Sequence, residues 1–293
     1  MNHSTEELKD IVRKKYDEIA NGSREVNAAS CCGATNASEE VYNIMSDDYT
    51  QLNGYAADAD LGLGCDLPTE FAKIQPGDTV LDLGSGAGND CFVARHETGS
   101  EGKVIGVDFT PSMVKKARLN ADKLGYNNVE FREGDIDDMP VLDDSVDVVV
   151  SNCVLNLVPD KPKVINEIMR VLKPGGHFSI SDIVLVGDLP ETLRAEAEMY
   201  AGCVAGAIQK SDYLAAIQEA GFTNIMLQKE KAIQIPDDIL NKYLTSSELD
   251  EFDKSEIGIF SVTVYAEKVG QKQEKPKVKL SEISACEPGS GCC

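Results

Sequence analysis

At 293 residues and 42% apolar content, the chain can bury one large core, or a core with a smaller appended unit. A formal net charge of −22 gives a surface that repels phosphate backbones, which argues against nucleic acid as a partner. No apolar run of about 18 residues or more offers a bilayer span, and the start MNHSTEELKDIVRKKYDEIANG lacks the apolar stretch and cleavage site of a signal peptide, so a cytoplasmic protein without membrane contact is expected.

That start reads as an amphipathic helix. Leu8, Ile11, Val12, Tyr16 and Ile19 share a face, and Ser4 with Glu7 forms a capping box. Residues 1–70 continue as an extension of short helices and loop that carries Cys31-Cys32-Gly33 and ends in LGLGC at Cys65. Across 71–187, strand-like and helix-like runs alternate. The strands expected are Thr79 to Leu83, Lys103 to Asp108, Asn128 to Arg132, Val146 to Ser151 and His177 to Ile183, with helices such as Pro111 to Leu124 and Lys161 to Leu172 between them. This alternation implies an α/β fold, a parallel sheet with helices on both faces. Residues 188–270 add helices near 190–206 and 211–221 and two strands, Thr223 to Lys229 and Gly258 to Glu267, which extend the sheet with one strand antiparallel. The segment 271–293 loses periodicity and reads as a disordered tail containing Cys286, Cys292 and Cys293.

The sequence VLDLGSGAGND follows the first strand and opens a helix. Its glycines permit a sharp turn and a close ligand approach. The dinucleotide fingerprint G-x-G-x-x-G is not matched; the spacing is D-x-G-x-G-x-G, with Asp82 ahead of Gly84 and Gly86. A carboxylate there repels a pyrophosphate and attracts a cationic ligand. Asp108 ends the next strand, placed for ribose hydroxyls, and Gly134-Asp135-Ile136 follows the third. Together these features resemble the class I S-adenosylmethionine-dependent methyltransferases, over about residues 70–270, and a Rossmann-like sheet follows from that resemblance. The resemblance implies that Asp82 lies near the methionine part of the cofactor, Gly84 and Gly86 line it, and Asp108 holds the ribose. It also implies Met113 or Phe109 beside the adenine, Asp135 and Ile136 on its edge and face, and Asn152 within the cofactor set.

A small-molecule acceptor usually needs a base. His3, His96 and His177 read as ordinary surface or edge histidines. Nine cysteines in a chain without an export signal are expected as free thiols. Cys153 follows the fourth strand, where open sheets bind ligands. Cys65 precedes the core, and Cys203 lies in the small-residue helix MYAGCVAGA; three thiols could converge, whereas Cys91 reads as a core residue. Their spacing lacks the paired pattern of structural zinc. Soft thiolates select soft acceptors such as trivalent arsenic, whose lone pair needs no base.

The motifs CCG at Cys31, ADLGLGC at Cys65, VLDLGSGAGNDCF, VSNC at Cys153 and AGCVAGA at Cys203 are similar to those of the arsenite methyltransferases; where that family has asparagine, this chain has Asp60. The resemblance implies arsenic bound by Cys65, Cys153 and Cys203. It implies a disulfide redox step in which Cys31 or Cys32 pairs with Cys65, with glutathione or thioredoxin restoring the thiols. Two other readings are a methyltransferase for carbon or oxygen of a small organic acceptor such as a quinone, and a thiol-based sensor. The absence of Trp, the 6% aromatic content and the acidic surface weigh against both.

Overall fold

The computed structural model describes residues 5–22, 48–188, 206–233 and 257–270, with Leu240, Asn241, Leu244 and Leu249. Seven strands form one sheet: β1 Thr79–Leu83, β2 Lys103–Asp108, β3 Val129–Glu133, β4 Val146–Asn152, β5 Leu172–Val186, β6 Thr223–Ala232 and β7 Gly258–Glu267. Their order is β3-β2-β1-β4-β5-β7-β6. Pairing from β3 through β5 is parallel, and β7 runs antiparallel to both β5 and β6. This is the expected Rossmann-like α/β sheet, with β7 as the reversed strand. The helices are α1 Thr5–Asn21, α2 Pro68–Phe71, α3 Asn89–Thr98, α4 Pro111–Leu124, α5 Lys161–Val171 and α6 Lys210–Glu219. Among the described residues no helix is long and apolar enough to cross a membrane.

The strands are apolar on both faces because both faces are covered. Leu81, Leu83, Ile105, Val107 and Val149 pack toward Val164, Ile165 and Ile168 of α5 and Tyr213 and Ile217 of α6. On the opposite face, Val80, Val104, Val148 and Val150 meet Cys91, Phe92 and Ala94 of α3 and Met113, Val114 and Ala117 of α4. Helix starts follow local chemistry. The Asp160 carboxylate accepts the N–H of Lys163 to cap α5, and Pro111 and Pro162 occupy first-turn positions where no N–H partner is required.

Three expectations shift. In α1, Leu8 and Ile11 are exposed, whereas Val12 and Tyr16 are half-buried and Ile19 is buried. The helix turns Lys9 inward instead, because Asp135 and Asp137 wait there at 2.7 and 2.8 Å. Strand β5 begins directly after α5 at Leu172, which pairs with Val146 of β4, and runs to Val186, longer than His177 to Ile183, because β7 pairs along it as far as Val186. Likewise β6 reaches Ala232 through its pairing with Phe260. Ser4 of the expected capping box, the helix near 190–206 and the tail lie outside the described residues.

The order of strands reverses direction between β1 and β4, so the crevice of the sheet opens above their carboxyl ends. Leu81 is fully buried at the centre of this arrangement. Leu81→Ala is expected to cost about 2–5 kcal/mol of folding stability, measured by urea unfolding; a loss below about 1 kcal/mol would contradict the packing described.

Candidate active site

A cleft with about 1110 Å³ of empty volume, its open mouth included, lies over the ends of β1, β2, β3 and β4. Its floor is the glycine loop. Gly84 has φ +67°, and a Cβ there would lie 2.4 Å from the Val154 side chain, so the β1 and β4 turns touch at a point only glycine tolerates. Gly86, at φ +49°, turns its N–H onto the Asp108 carboxylate at 2.9 Å and leaves open space above.

Three carboxyl groups converge beneath the cleft. Asp82 is 2% exposed and Asp108 6%. Burial pushes both upward from the usual carboxylate range, and the neighbouring Asp90 charge raises Asp82 further. The N–H groups of Thr110 and Gly86 hold Asp108 partly down. Burial also lifts Asp90 to about 6, against the Tyr49 hydroxyl that donates to it at 2.9 Å. Asp82 accepts from the Cys91 thiol at 3.2 Å. No lysine or arginine pairs with Asp82 or Asp90 among the described salt bridges. Buried carboxylates without a counter-charge are costly, and a guest bearing an ammonium and a sulfonium supplies that charge. The residues therefore fit S-adenosylmethionine. At the other end Phe109 and Ile136 line the cleft with Asp135, and Arg13 lies over the Phe109 ring, 5.4 Å from its centroid. Met113, expected beside the adenine with Phe109 as its alternative, is instead fully buried in the α3–α4 core; its place in the first turn of α4 points it at the sheet.

The acceptor side is built from β4 and the loop before α2. Cys65 and Cys153 form a disulfide, with Cα atoms 6.0 Å apart. They were expected as separate thiolates, with Cys65 pairing to Cys31 or Cys32. The structure pairs them with each other because β4 and the Cys65 loop meet at disulfide reach. The Asn152 carboxamide fixes that crossing. Its oxygen accepts the Cys65 N–H at 3.0 Å, and its nitrogen donates to the Asp66 carbonyl at 2.7 Å and to the Tyr49 hydroxyl. Asp66 is anchored by Lys229 at 2.6 Å and the Thr263 hydroxyl at 2.8 Å, which ties the loop to β6 and β7. Asn152 and Cys153 both line the cleft. Asp60, the departure from the family pattern, lines it too and accepts from Tyr55 and the Gly62 N–H. Cys31, Cys32 and Cys203 lie outside the described residues.

Among the histidines, His96 is exposed on α3, and His177 sits within β5 with its Nε2 2.6 Å from the Ala72 carbonyl oxygen; neither lines the cleft. Sequence reasoning missed Lys9, Tyr49, Asp66 and Asp90. Asp90 had a signal, as an acid in the first turn of the helix that follows the glycine loop. Lys9 had none, because Asp135 lies 126 positions away.

Asp90 carries a testable sign. Its folded carboxyl sits near 6, above the 3.8 usual for an aspartate, so the stability it permits is complete below about pH 4 and is lost as pH rises through 6. In the ligand-free protein, wild type is expected to lose stability relative to Asp90→Asn over that window, measured by denaturant unfolding at each pH. A difference independent of pH would contradict it.

A family model described as a methyltransferase domain matches residues 74–255. An arsenite methyltransferase from Halobacterium salinarum is 42% identical over 84% of this chain and 66% of its own length. One from Aquipseudomonas alcaligenes is 33% identical over 81% of this chain and 68% of its own. The chain thus spans about two thirds of the length of each. The crystal structure of an arsenic(III) S-adenosylmethionine methyltransferase from Chlamydomonas reinhardtii superposes with a TM-score of 0.58 at 36% identity, over 70% of this chain and 68% of that one. The carboxylate-lined cleft, the two paired cysteines beside it and these likenesses lead to one assignment: the chain belongs to the arsenite methyltransferases, within the class I S-adenosylmethionine-dependent fold.

Proposed function

We propose that this chain transfers a methyl group from S-adenosylmethionine to trivalent arsenic held by the thiolates of Cys65, Cys153 and Cys203, a detoxification chemistry. The observation that carries the reading is the pairing of Cys65 with Cys153 at the edge of a cleft whose buried carboxylates call for a cation. When bound, S-adenosylmethionine supplies an electrophilic methyl on its sulfonium. Asp82 and Asp90 balance the positive charge, Gly84 and Gly86 admit the methionine part, Asp108 receives the ribose hydroxyls, and Phe109, Asp135 and Ile136 hold the adenine. Asn152 holds the Cys65 main chain and so orients the first thiol toward the second. An arsenic(III) tris-thiolate forms from arsenous acid by exchange of three hydroxyls for three thiols, with release of three waters. Its lone pair is the nucleophile, so no side chain has to remove a proton; desolvation and positioning supply most of the acceleration.

The pentavalent product needs two electrons to return to the trivalent state. A pair of protein thiols gives them up as it becomes a disulfide, and glutathione or thioredoxin restores the pair by thiol exchange. Cys65 with Cys153 is one such pair, and Cys31 or Cys32 with Cys65 is the other. This chemistry suits a reducing compartment and so a cytoplasmic location. In this reading residues 71–187 carry the cofactor, 188–270 cover the acceptor, 1–70 bring Cys31, Cys32 and Cys65, and 271–293 form the tail.

Protein with the Cys65–Cys153 bond intact is expected to form methylarsenicals at least about tenfold more slowly than protein pre-reduced with glutathione or thioredoxin, and the Cys31→Ser, Cys32→Ser double variant is expected to lower turnover of inorganic arsenite. Full-rate turnover by the oxidised protein without reductant would overturn the thiolate-acceptor reading. Normal turnover by the double variant would remove Cys31 and Cys32 from the redox step.

A further inference from the structure

On the face of β5 opposite Cys65 lies a polar cluster outside the cleft. The β5 side chains alternate: Ser181 bonds Thr263 on the Cys65 side, and Asp182 points to the other, where α5 and α6 cover it. Asp182 is fully buried. The Ile183 N–H donates to its Oδ1 at 3.1 Å, and the N–H of Asn156 faces the same carboxyl. Lys161 of α5, 6% exposed, and Tyr213 of α6, 1% exposed, act on it electrostatically. The Asp182 Oδ2, the Asn156 Oδ1 and the Tyr213 hydroxyl have no hydrogen-bond partner among the described residues. A carboxyl, an amide and a phenol so buried are expensive to keep, and the fold keeps all three together.

Their neighbours show what the cluster holds. The turn after β4 hangs on three successive residues of β5. The Cys153 N–H donates to the Ser181 carbonyl at 2.8 Å, the Asn156 N–H faces the Asp182 carboxyl, and the Asn156 side chain donates to the Ile183 carbonyl at 3.0 Å. Cys153 itself has φ +57°, a conformation that a non-glycine residue keeps only when its surroundings impose it. Gly206 presses on the same turn, for a Cβ there would lie 1.8 Å from the Asn156 carbonyl oxygen.

We propose that Asp182 is a positioning residue of the acceptor site: its carboxylate, facing the Lys161 ammonium, clamps the turn from Val154 to Asn156 and thereby holds the Cys153 thiol opposite Cys65. The clamp rests on the reading of Cys65 and Cys153 as arsenic ligands. It acts through charge, so it works when Asp182 is ionised. Burial, opposed by Lys161 and the two N–H groups, leaves that carboxyl at about 7. Lys161 on α5 and Tyr213 on α6 are the titratable groups facing it; the flanking strands present Val262 on β7 and, on β4, the main chain leading from Asn152 to Cys153. The clamp therefore tightens as pH rises through 7 and loosens below it.

The test uses reduced full-length protein and phenylarsine oxide, a trivalent arsenical that takes two neighbouring thiols and needs no methyl donor. Asp182→Asn is expected to weaken its binding about tenfold at about pH 8.5 and less than about twofold at about pH 6, where wild type has lost the same charge. Lys161→Met, which removes the charge that pulls Asp182 down, should move the pH at which wild type and Asp182→Asn converge upward. S-adenosylmethionine affinity should be unchanged in both variants. Equal binding by wild type and Asp182→Asn at both pH values would overturn the proposal. So would an equal loss at both, or a parallel loss of S-adenosylmethionine affinity, which would mark a merely structural role. No phenylarsine oxide binding by reduced wild type would overturn both this clamp and the acceptor assignment beneath it.

Discussion

Carboxylates buried without a counter-charge are the constraint around which this molecule is arranged. Asp82 and Asp108, both buried, and the half-buried Asp90 lie at the carboxyl ends of β1 and β2 and the start of α3, in a cleft that water screens poorly. Lys9, at the far end of the same cleft, is bound to Asp135 and Asp137, and Arg13 lies over Phe109. What remains is a set of negative groups softened by the Tyr49 hydroxyl, the Cys91 thiol and the main-chain N–H groups of Gly86 and Thr110. Such a site is stable enough to fold and is completed by a cation. The glycine loop serves the same end, since any side chain at Gly84 would separate β1 from the β4 turn.

The acceptor side is coupled to that cleft through one tyrosine and one asparagine. Tyr49 touches Asp90 beneath the cofactor region and Asn152 beneath the thiols. Asn152 in turn holds both Cys65 and the Asp66 carbonyl. Three hydrogen bonds, running through Tyr49 and Asn152, thus link the Asp90 carboxyl to the Cys65 main chain. Asp66 and its partners Lys229 and Thr263 make the last two strands part of the site, although neither strand lines the cleft. Through these contacts β6 and β7 brace the loop that delivers Cys65.

Much of this was legible because local patterns are short-range. Strand-like runs marked every strand of the sheet, and D-x-G-x-G-x-G separated a cationic ligand from a pyrophosphate. Asp108, Phe109, Asp135 and Ile136 were picked out by their place after a strand and Asn152 by the family resemblance, and all line the cleft. Cys153 was placed at the end of β4 by sequence, whereas its nearness to Cys65 stood only as a convergence that three thiols could make. What stayed hidden depends on tertiary contacts with no local signature. Met113 was misplaced because helical spacing does not reveal which way a first turn points. The inward face of α1 was misread because hydrophobicity favoured Leu8 and Ile11, whereas an ion pair with Asp135 and Asp137 sets the rotation. Tyr49 stands in a polar stretch without periodicity, and its role exists only once β4 and α3 are assembled.

The central claim is that arsenic receives its methyl while bound to thiolates beside this cleft, and the most direct measurement is labelled methyl transfer from S-adenosylmethionine to arsenite by reduced wild type and by Cys153→Ser, with cofactor affinity determined on both. The account predicts labelled methylarsenicals from wild type, none from the variant, and equal cofactor affinity. Undiminished transfer by Cys153→Ser, or tight cofactor binding by wild type with no labelled arsenical, would contradict it.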